Sequence, residues 1–240
     1  MNFVIPMAGH GSRFAEAGYA LPKMLLQAHG KTLLEWSLES LPLELASTVV
    51  FVGLQEHETK FNLSDQITKL YPNLNCEFIF LPQVTRGQAE TVFLALEKCN
   101  HEEQLVIFNI DTYFQSETLA GYLLDPNNDG VLNCFESTEN RFSFAKTNSN
   151  NQYVIEVKEK EVISSHALTG LYTFKKVADF IETYTYHNQN NLTVKGELYI
   201  APMYNYLIDK GNKYLLDIAS KHYILGTPQE YEHFLSLKDW

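Results

Sequence analysis

The sequence predicts an α/β fold, a doubly wound and mostly parallel central sheet with helices on both faces, continued by a second half of mixed strands. Three observations predict it. Apolar, β-branched runs of strand length alternate with helical patterns over residues 3–110. The first run breaks into a turn holding two glycines. Beyond residue 125 short strands follow one another with few helices between.

Residues 3–5 form a short buried strand that stops at Pro6 and opens into Gly9-His10-Gly11-Ser12. Residues 30–41 read as a helix, with Thr32 as N-cap and Glu35, three residues on, completing a capping box. Leu34, Leu38 and Leu41 share one face of it. Residues 48–54 are the next strand, 56–71 a weaker helix ended by Pro72, and 76–81 a third strand. Residues 88–99 follow as a helix, with Val92, Leu96 and Cys99 on one side, and 105–110 as a buried strand. This alternation implies parallel strands joined by right-handed crossovers.

In the second half, residues 130–135, 142–146 and 153–158 read as strands, the last two joined through the polar turn Asn148-Ser-Asn-Asn151. Residues 167–174 are a further strand and 176–186 a helix. A helix from 196 or 197 to 208, short strands at 213–218 and 222–225, and a closing helix at 228–237 complete the chain. No repeat, low-complexity tract or linker interrupts it. One domain is expected over residues 1–240, its halves 1–125 and 126–240 sharing a core with a ligand cleft between them.

The net charge of −11 argues against a general nucleic-acid binder, whose affinity rests on neutralising phosphates, but leaves room for a local basic pocket. Cys76, Cys99 and Cys134 are scattered among apolar neighbours and read as reduced packing residues. No Cys/His cluster suggests zinc. No basic leader and no run of ~18 apolar residues appears, so a soluble, cytoplasmic protein without a membrane partner is expected. A homo-oligomer is left open.

Several stretches carry chemistry. Gly9 and Gly11 let the backbone turn sharply and approach a ligand, and successive N–H groups in such a turn form an anion-binding concavity. Arg13 and Lys23 bring two cations to the same place. The same glycines also suit an ordinary strand-to-helix turn. Neither the third glycine of the dinucleotide motif nor the Gly-Lys-Ser/Thr of the phosphate loop is present. Asp111 ends an apolar run, where an acid faces the ligand crevice of an open α/β sheet. It suits Mg²⁺, and it equally suits the cap of a helix starting within 112–117. Gln83 and Gln88 flank Gly87 and offer donors and acceptors to a base edge, or simply join strand to helix. The lysines of Val157-Lys-Glu-Lys160 read as a solvated edge, and Glu197 as helix N-terminal charge. The histidines form no metal or nucleophile pattern. His10 sits in the loop, either touching a ligand or simply exposed.

Pro6-Met-Ala-Gly-His-Gly-Ser-Arg-Phe14 followed by Pro22-Lys23 resembles the signature of the sugar-phosphate nucleotidyltransferases, G-x-G-x-R and then P-K. The resemblance continues through Asp111, Glu159-Lys160 with Gly170, Glu197 and Gly226-Thr227-Pro228. It implies a GT-A-like, Rossmann-like, Mg²⁺-dependent nucleotidyltransferase with a nucleotide-binding first half and an acceptor-binding second half. By that resemblance Ala8, Gly9, Gly11, Ser12, Gln83, Gly87 and Gln88 would bind the nucleotide. Arg13 would stabilise leaving pyrophosphate, Lys23 would bridge the α-phosphate and the acceptor phosphate, and Asp111 would hold the metal. Glu159, Lys160, Gly170 and Glu197 would meet the acceptor, Lys160 through its phosphate.

The implied partners are an NTP, with CTP or UTP/dTTP favoured, and a phosphorylated acceptor. A sugar 1-phosphate, for surface polysaccharide precursors, is the first expectation. The compact cytidylyltransferase-like branch, acting with CTP on phosphocholine or another small phosphate, is the second. A non-catalytic nucleotide-binding regulatory domain is the alternative of another class. A glycosyltransferase would show Asp-x-Asp, which Asn109-Ile-Asp111 half matches. The chain departs from the pattern at Ile224, where many members carry a second metal-binding aspartate. Asp217 lies upstream without an evident place in the cleft.

Overall fold

A computed structural model describes residues 1–150 and 152–238. Strand β1 (Asn2–Pro6) leads into helix α1 (Ser12–Glu16) and, after a 3₁₀ turn at Lys23–Leu25, into the two-residue strands β2 (Gln27–Ala28) and β3 (Lys31–Thr32). Helix α2 (Leu33–Leu38) opens on the expected capping box: Thr32 Oγ1 accepts from Glu35 N–H while the Glu35 carboxylate accepts from Thr32 N–H. Strand β4 (Thr48–Leu54) is followed by α3 (Gln55–Phe61), α4 (Leu63–Leu70), β5 (Cys76–Leu81), α5 (Gln88–Ala95) and β6 (Leu105–Phe108).

The expectation of one helix over 56–71 is corrected to two. Asn62 adopts φ 51°, ψ 54°, ends α3 and turns the chain into α4. The expected helix over 88–99 ends at Ala95 and tightens into a 3₁₀ turn at Leu96–Lys98. A helix beginning within 112–117 is also overturned. Thr112–Gln115 is strand β7, because its β-branched and aromatic residues pair with residues Lys221–Ile224 late in the chain.

Helix α6 (Leu119–Leu124) then precedes β8 (Gly130–Glu136), β9 (Ser143–Thr147), β10 (Val154–Glu159) and β11 (His166–Phe174). Asn148 closes the β9–β10 connection by accepting from the N–H of Gln152 at 2.9 Å; Asn151 lies outside the described residues. Helices α7 (Val177–Gln189) and α8 (Tyr204–Asp209), strands β12 (Tyr214–Ile218) and β13 (Lys221–Ile224), and helix α9 (Pro228–Ser236) follow. The helix expected from 196 or 197 is shorter. Lys195 and Gly196 both have positive φ, Glu197 pairs back with Val194, and a 3₁₀ turn begins only at Ala201, where Pro202 is tolerated because its missing N–H falls at a helix start.

The nine-stranded sheet runs β10-β9-β11-β6-β1-β4-β5, with β8 on β11 and β12 on β8. The strands β6, β1, β4 and β5 are mutually parallel, as expected, and β11 runs antiparallel to β6. Both faces are covered, so the central strands are apolar throughout. Val4, Val50 and Ile107 point into a core closed by α5, α7 and α8. Their neighbours Phe3, Ile5, Phe51, Val106 and Phe108 point into the opposite core against α2, α4 and α6. No helix among the described residues is long and apolar enough to cross a membrane. Burial pushes the Cys99 and Cys134 thiols up to about 12, consistent with inert packing residues.

Candidate active site

From β1 the chain departs to β4 and β5 on one side and returns at β6 on the other. The carboxyl ends of β1 and β6 therefore flank the point where the order of the strands reverses, and a crevice opens there. After β1, Met7 N–H still bonds Val52 O at 2.8 Å before the loop leaves the sheet. Gly11 turns it with φ 62°. A Cβ at Gly11 would meet nothing within 4 Å, so the constraint there is the backbone conformation. Phe14 anchors the loop from below, buried edge-on against Tyr19 and Tyr231, and its neighbour Arg13 remains exposed.

Pro22 caps the 3₁₀ turn that carries Lys23. Its Nζ stands 3.5 Å from Oδ2 of Asp111, which follows the end of β6. A cleft of about 560 Å³ joins these groups. Ala8, Gly9, Gly11, Ser12, Arg13 and Lys23 line it from the loop, Gly87 and Gln88 from the start of α5, and Asp111 and Glu197 from the remaining sides. His10 also lines it and lies 3.6 Å from Glu56. Gln83 is exposed and outside the lining; Glu159 and Lys160, half-buried, and Gly170, buried, also lie outside it.

Two of the expected ligand residues are engaged with the protein itself. Gln88 Nε2 donates to Oδ1 of Asn109. A Cβ on Gly170, at φ 92°, would lie 2.7 Å from Nδ2 of the same Asn109. Asn109, two residues before Asp111 and itself lining the cleft, thus ties α5 to β11, a role the sequence did not reveal. At Gly87 a Cβ would fall 2.6 Å from backbone atoms of Leu198. Leu198 N–H bonds Arg86 O, and Ala89 N–H bonds Leu198 O. The glycine admits the segment that carries Glu197 against α5. Glu197 precedes the 3₁₀ turn, so its reading as helix N-terminal charge does not hold.

On the far side, the Glu159 carboxylate accepts from Ser143 Oγ, and burial raises its pKa against the opposing pull of Ser143 and Lys160. Lys160 Nζ donates to the hydroxyl of Tyr199, a cleft-lining residue that the sequence reading missed.

Among the described residues no three His, Cys, Asp or Glu side chains converge on a metal position. Mg²⁺ does not require three, since one or two carboxylates suffice when waters and phosphate oxygens complete the octahedron. Asp111 Oδ2 and Glu230 Oε2 lie 3.8 and 3.6 Å from the point a Cβ on Gly226 would occupy, so two carboxylates flank this glycine. Glu230 also pairs with Arg141 at 2.5 Å. Asp111, a part-exposed carboxylate in the cleft, is a donor that fits a hard cation, whereas Glu230 is taken up by Arg141 and lies outside the lining. Ile224 cannot contribute, being packed against the cluster of Phe135, Phe144 and Ala167. Asp217 is fully buried and accepts from Ser116, Thr118 and Asn133, where it fixes the turn before α6.

Comparison with known proteins agrees with this fold. The family model of the MobA-like NTP transferase domain matches residues 3–166. The chain is similar to a solved structure described as the nucleoside-diphosphate-sugar pyrophosphorylase from Vibrio cholerae RC9, with 36% identity, TM-score 0.85, and coverage of 98% of this chain and 100% of that one. Two more distant structures share the fold. A protein from Bacillus anthracis described as a candidate glucose-1-phosphate thymidylyltransferase is 18% identical, with TM-score 0.78 and coverage of 100% of this chain and 97% of that one. The inositol-1-phosphate CTP transferase from T. maritima is 13% identical, with TM-score 0.75 and coverage of 98% and 94%. Among curated proteins none matches this chain by sequence.

Proposed function

The chain belongs to the MobA-like NTP transferase domain family, a family of nucleotidyltransferases, and from that premise we propose that it transfers NMP from an NTP to a phosphorylated small molecule, a sugar 1-phosphate first, releasing pyrophosphate. The observation that carries the reading is one cleft in which the loop cations Arg13 and Lys23 face Asp111, with Glu197 on a further side. The two substrates are polyanions, so the protein's work is to align them and offset their charge rather than to form covalent intermediates.

In this reading the Gly9–Ser12 turn cradles the triphosphate. Arg13 stabilises the leaving pyrophosphate, and Lys23 holds the α-phosphate and the acceptor phosphate in line. Asp111 would hold a divalent cation such as Mg²⁺, with water and phosphate oxygens completing its shell. Such a cation supplies charge neutralisation for the triphosphate oxygens. Gln88 and Gly87 support the nucleotide end through Asn109 and Leu198, and Glu197 reads acceptor hydroxyls. The nucleotide-diphosphate-sugar chemistry named for the Vibrio cholerae structure supports a sugar acceptor.

The test is pyrophosphate release with Mg²⁺, each NTP being tried against sugar 1-phosphates, inositol 1-phosphate and phosphocholine. Release with one NTP and one acceptor is expected. Tight NTP binding without release across the whole panel would favour the non-catalytic reading, and absence of NTP binding would overturn the assignment of the loop.

A further inference from the structure

Tyr199 stands between the loop cation Arg13 and the strand end that carries Lys160. It lines the cleft, whereas Lys160 does not. Its hydroxyl accepts a hydrogen bond from Lys160 Nζ, and the ammonium lies 4.4 Å from the centroid of its ring. Glu197 and Arg13 line the same cleft as Tyr199, and their charges act on its phenol in opposite directions. Lys160 therefore meets the cleft by way of Tyr199.

Both ends of this contact are fixed by the fold. Lys160 adopts φ 58°, a left-handed conformation unusual for a side chain of its length, and its N–H is held by Phe142 O at 2.9 Å. Tyr199 follows Leu198, whose backbone is bonded to Arg86 at 3.1 Å and to Ala89 at 3.0 Å. It precedes Ile200, which is fully buried. The phenol thus has little freedom to leave its place.

We propose that Tyr199 is the acceptor-positioning residue of this cleft. Its hydroxyl holds the Lys160 ammonium, the cation for the acceptor's phosphate, at the side of the cleft that Glu197, the acid for the acceptor's hydroxyls, also lines. The proposal rests on the nucleotidyltransferase reading for its acceptor and adds a residue that reading does not require. A lysine alone offers a strongly hydrated point charge on a flexible stem. The tyrosine removes that freedom before the acceptor arrives. Burial and the Glu197 and Glu159 carboxylates raise the Tyr199 pKa, so the phenol keeps its proton while its oxygen accepts from Lys160.

Pre-organisation of this kind acts on acceptor binding more than on bond-making. The test uses inorganic phosphate as probe and the side-chain ammonium resonance of Lys160, in ¹⁵N-lysine-labelled protein, as readout. The signal is assigned with Lys160→Gln. In wild type it is expected to be protected from exchange and to move on phosphate titration. In Tyr199→Phe, which retains the ring, it is expected to broaden and to need about fivefold more phosphate.

In pyrophosphate release, Tyr199→Phe is expected to raise the acceptor KM about tenfold while kcat and the nucleotide KM change by no more than about twofold. The double variant Tyr199→Phe/Lys160→Gln is expected to be no worse than Lys160→Gln alone, because the two residues act as one unit. An unresponsive Lys160 signal in wild type, an equal phosphate response in Tyr199→Phe, or additive losses in the double variant would overturn the proposal. Failure of wild type to release pyrophosphate would instead strike at the reaction, while the phosphate titration still judges Tyr199.

Discussion

Lys23 Nζ lies 3.5 Å from Asp111 Oδ2, a contact that joins the loop after β1 to the end of β6 across the point where the strand order reverses. The lysine side chain is 17% exposed and the aspartate 40%, so the cation is set inside the cleft and the acid opens to it. Lys23→Ala is expected to lower turnover by about a hundredfold or more, the scale of removing one pre-set electrostatic contact. Its unfolding midpoint should stay near wild type, because partly exposed ion pairs add little stability. Steady-state kinetics beside a thermal melt checks both halves, and near-normal kcat removes Lys23 from the mechanism.

Gly170→Ala tests the support beneath the cleft. A Cβ there would meet Asn109 Nδ2 at 2.7 Å, on a backbone at φ 92°. The combined clash and strain should cost ~2 kcal/mol or more in urea unfolding. NTP affinity should fall as well, because Asn109 carries Gln88. An undisturbed Kd for nucleotide would separate Asn109 from the nucleotide end.

Asp217→Ala should behave in the opposite way. It strands the hydroxyls of Ser116 and Thr118 and the buried amide of Asn133, costing ~2–4 kcal/mol in denaturant unfolding. At temperatures where the variant is folded, KM for nucleotide and acceptor should match wild type. A selective loss of metal-dependent activity would return Asp217 to the cleft.

Glu159 sets a pH dependence. Burial raises its folded-state pKa above the unfolded value. The folded state therefore holds the proton more tightly, and this group's contribution to stability is lost as pH rises through the carboxylate range. Glu159→Gln removes that loss. Its gain in Tm over wild type should be largest at neutral pH and shrink as pH falls below the usual carboxylate pKa. A gain that grows on acidification would contradict the sign.

The chain's local chemistry determined the parallel half of the sheet, the Thr32–Glu35 capping box, the turn at Gly9–Ser12 and the acid at the end of β6. Each follows from side-chain period, torsional preference or a donor a few residues away, all local causes that a linear pattern records. Tertiary structure decided what those local causes cannot reach. Asn62 breaks a helix that periodicity alone would continue, and Thr112–Gln115 becomes a strand because β13 comes to pair with it. Gly87 and Gly170 are needed for Leu198 and Asn109 rather than for open space beside a ligand. Asp217 is drawn into a buried network 101 residues from Ser116. Lys160 meets Tyr199 across 39 residues of chain. Such contacts depend on which distant segments the sheet brings together, and burial then makes them obligatory, since a polar group out of water must find its partner inside.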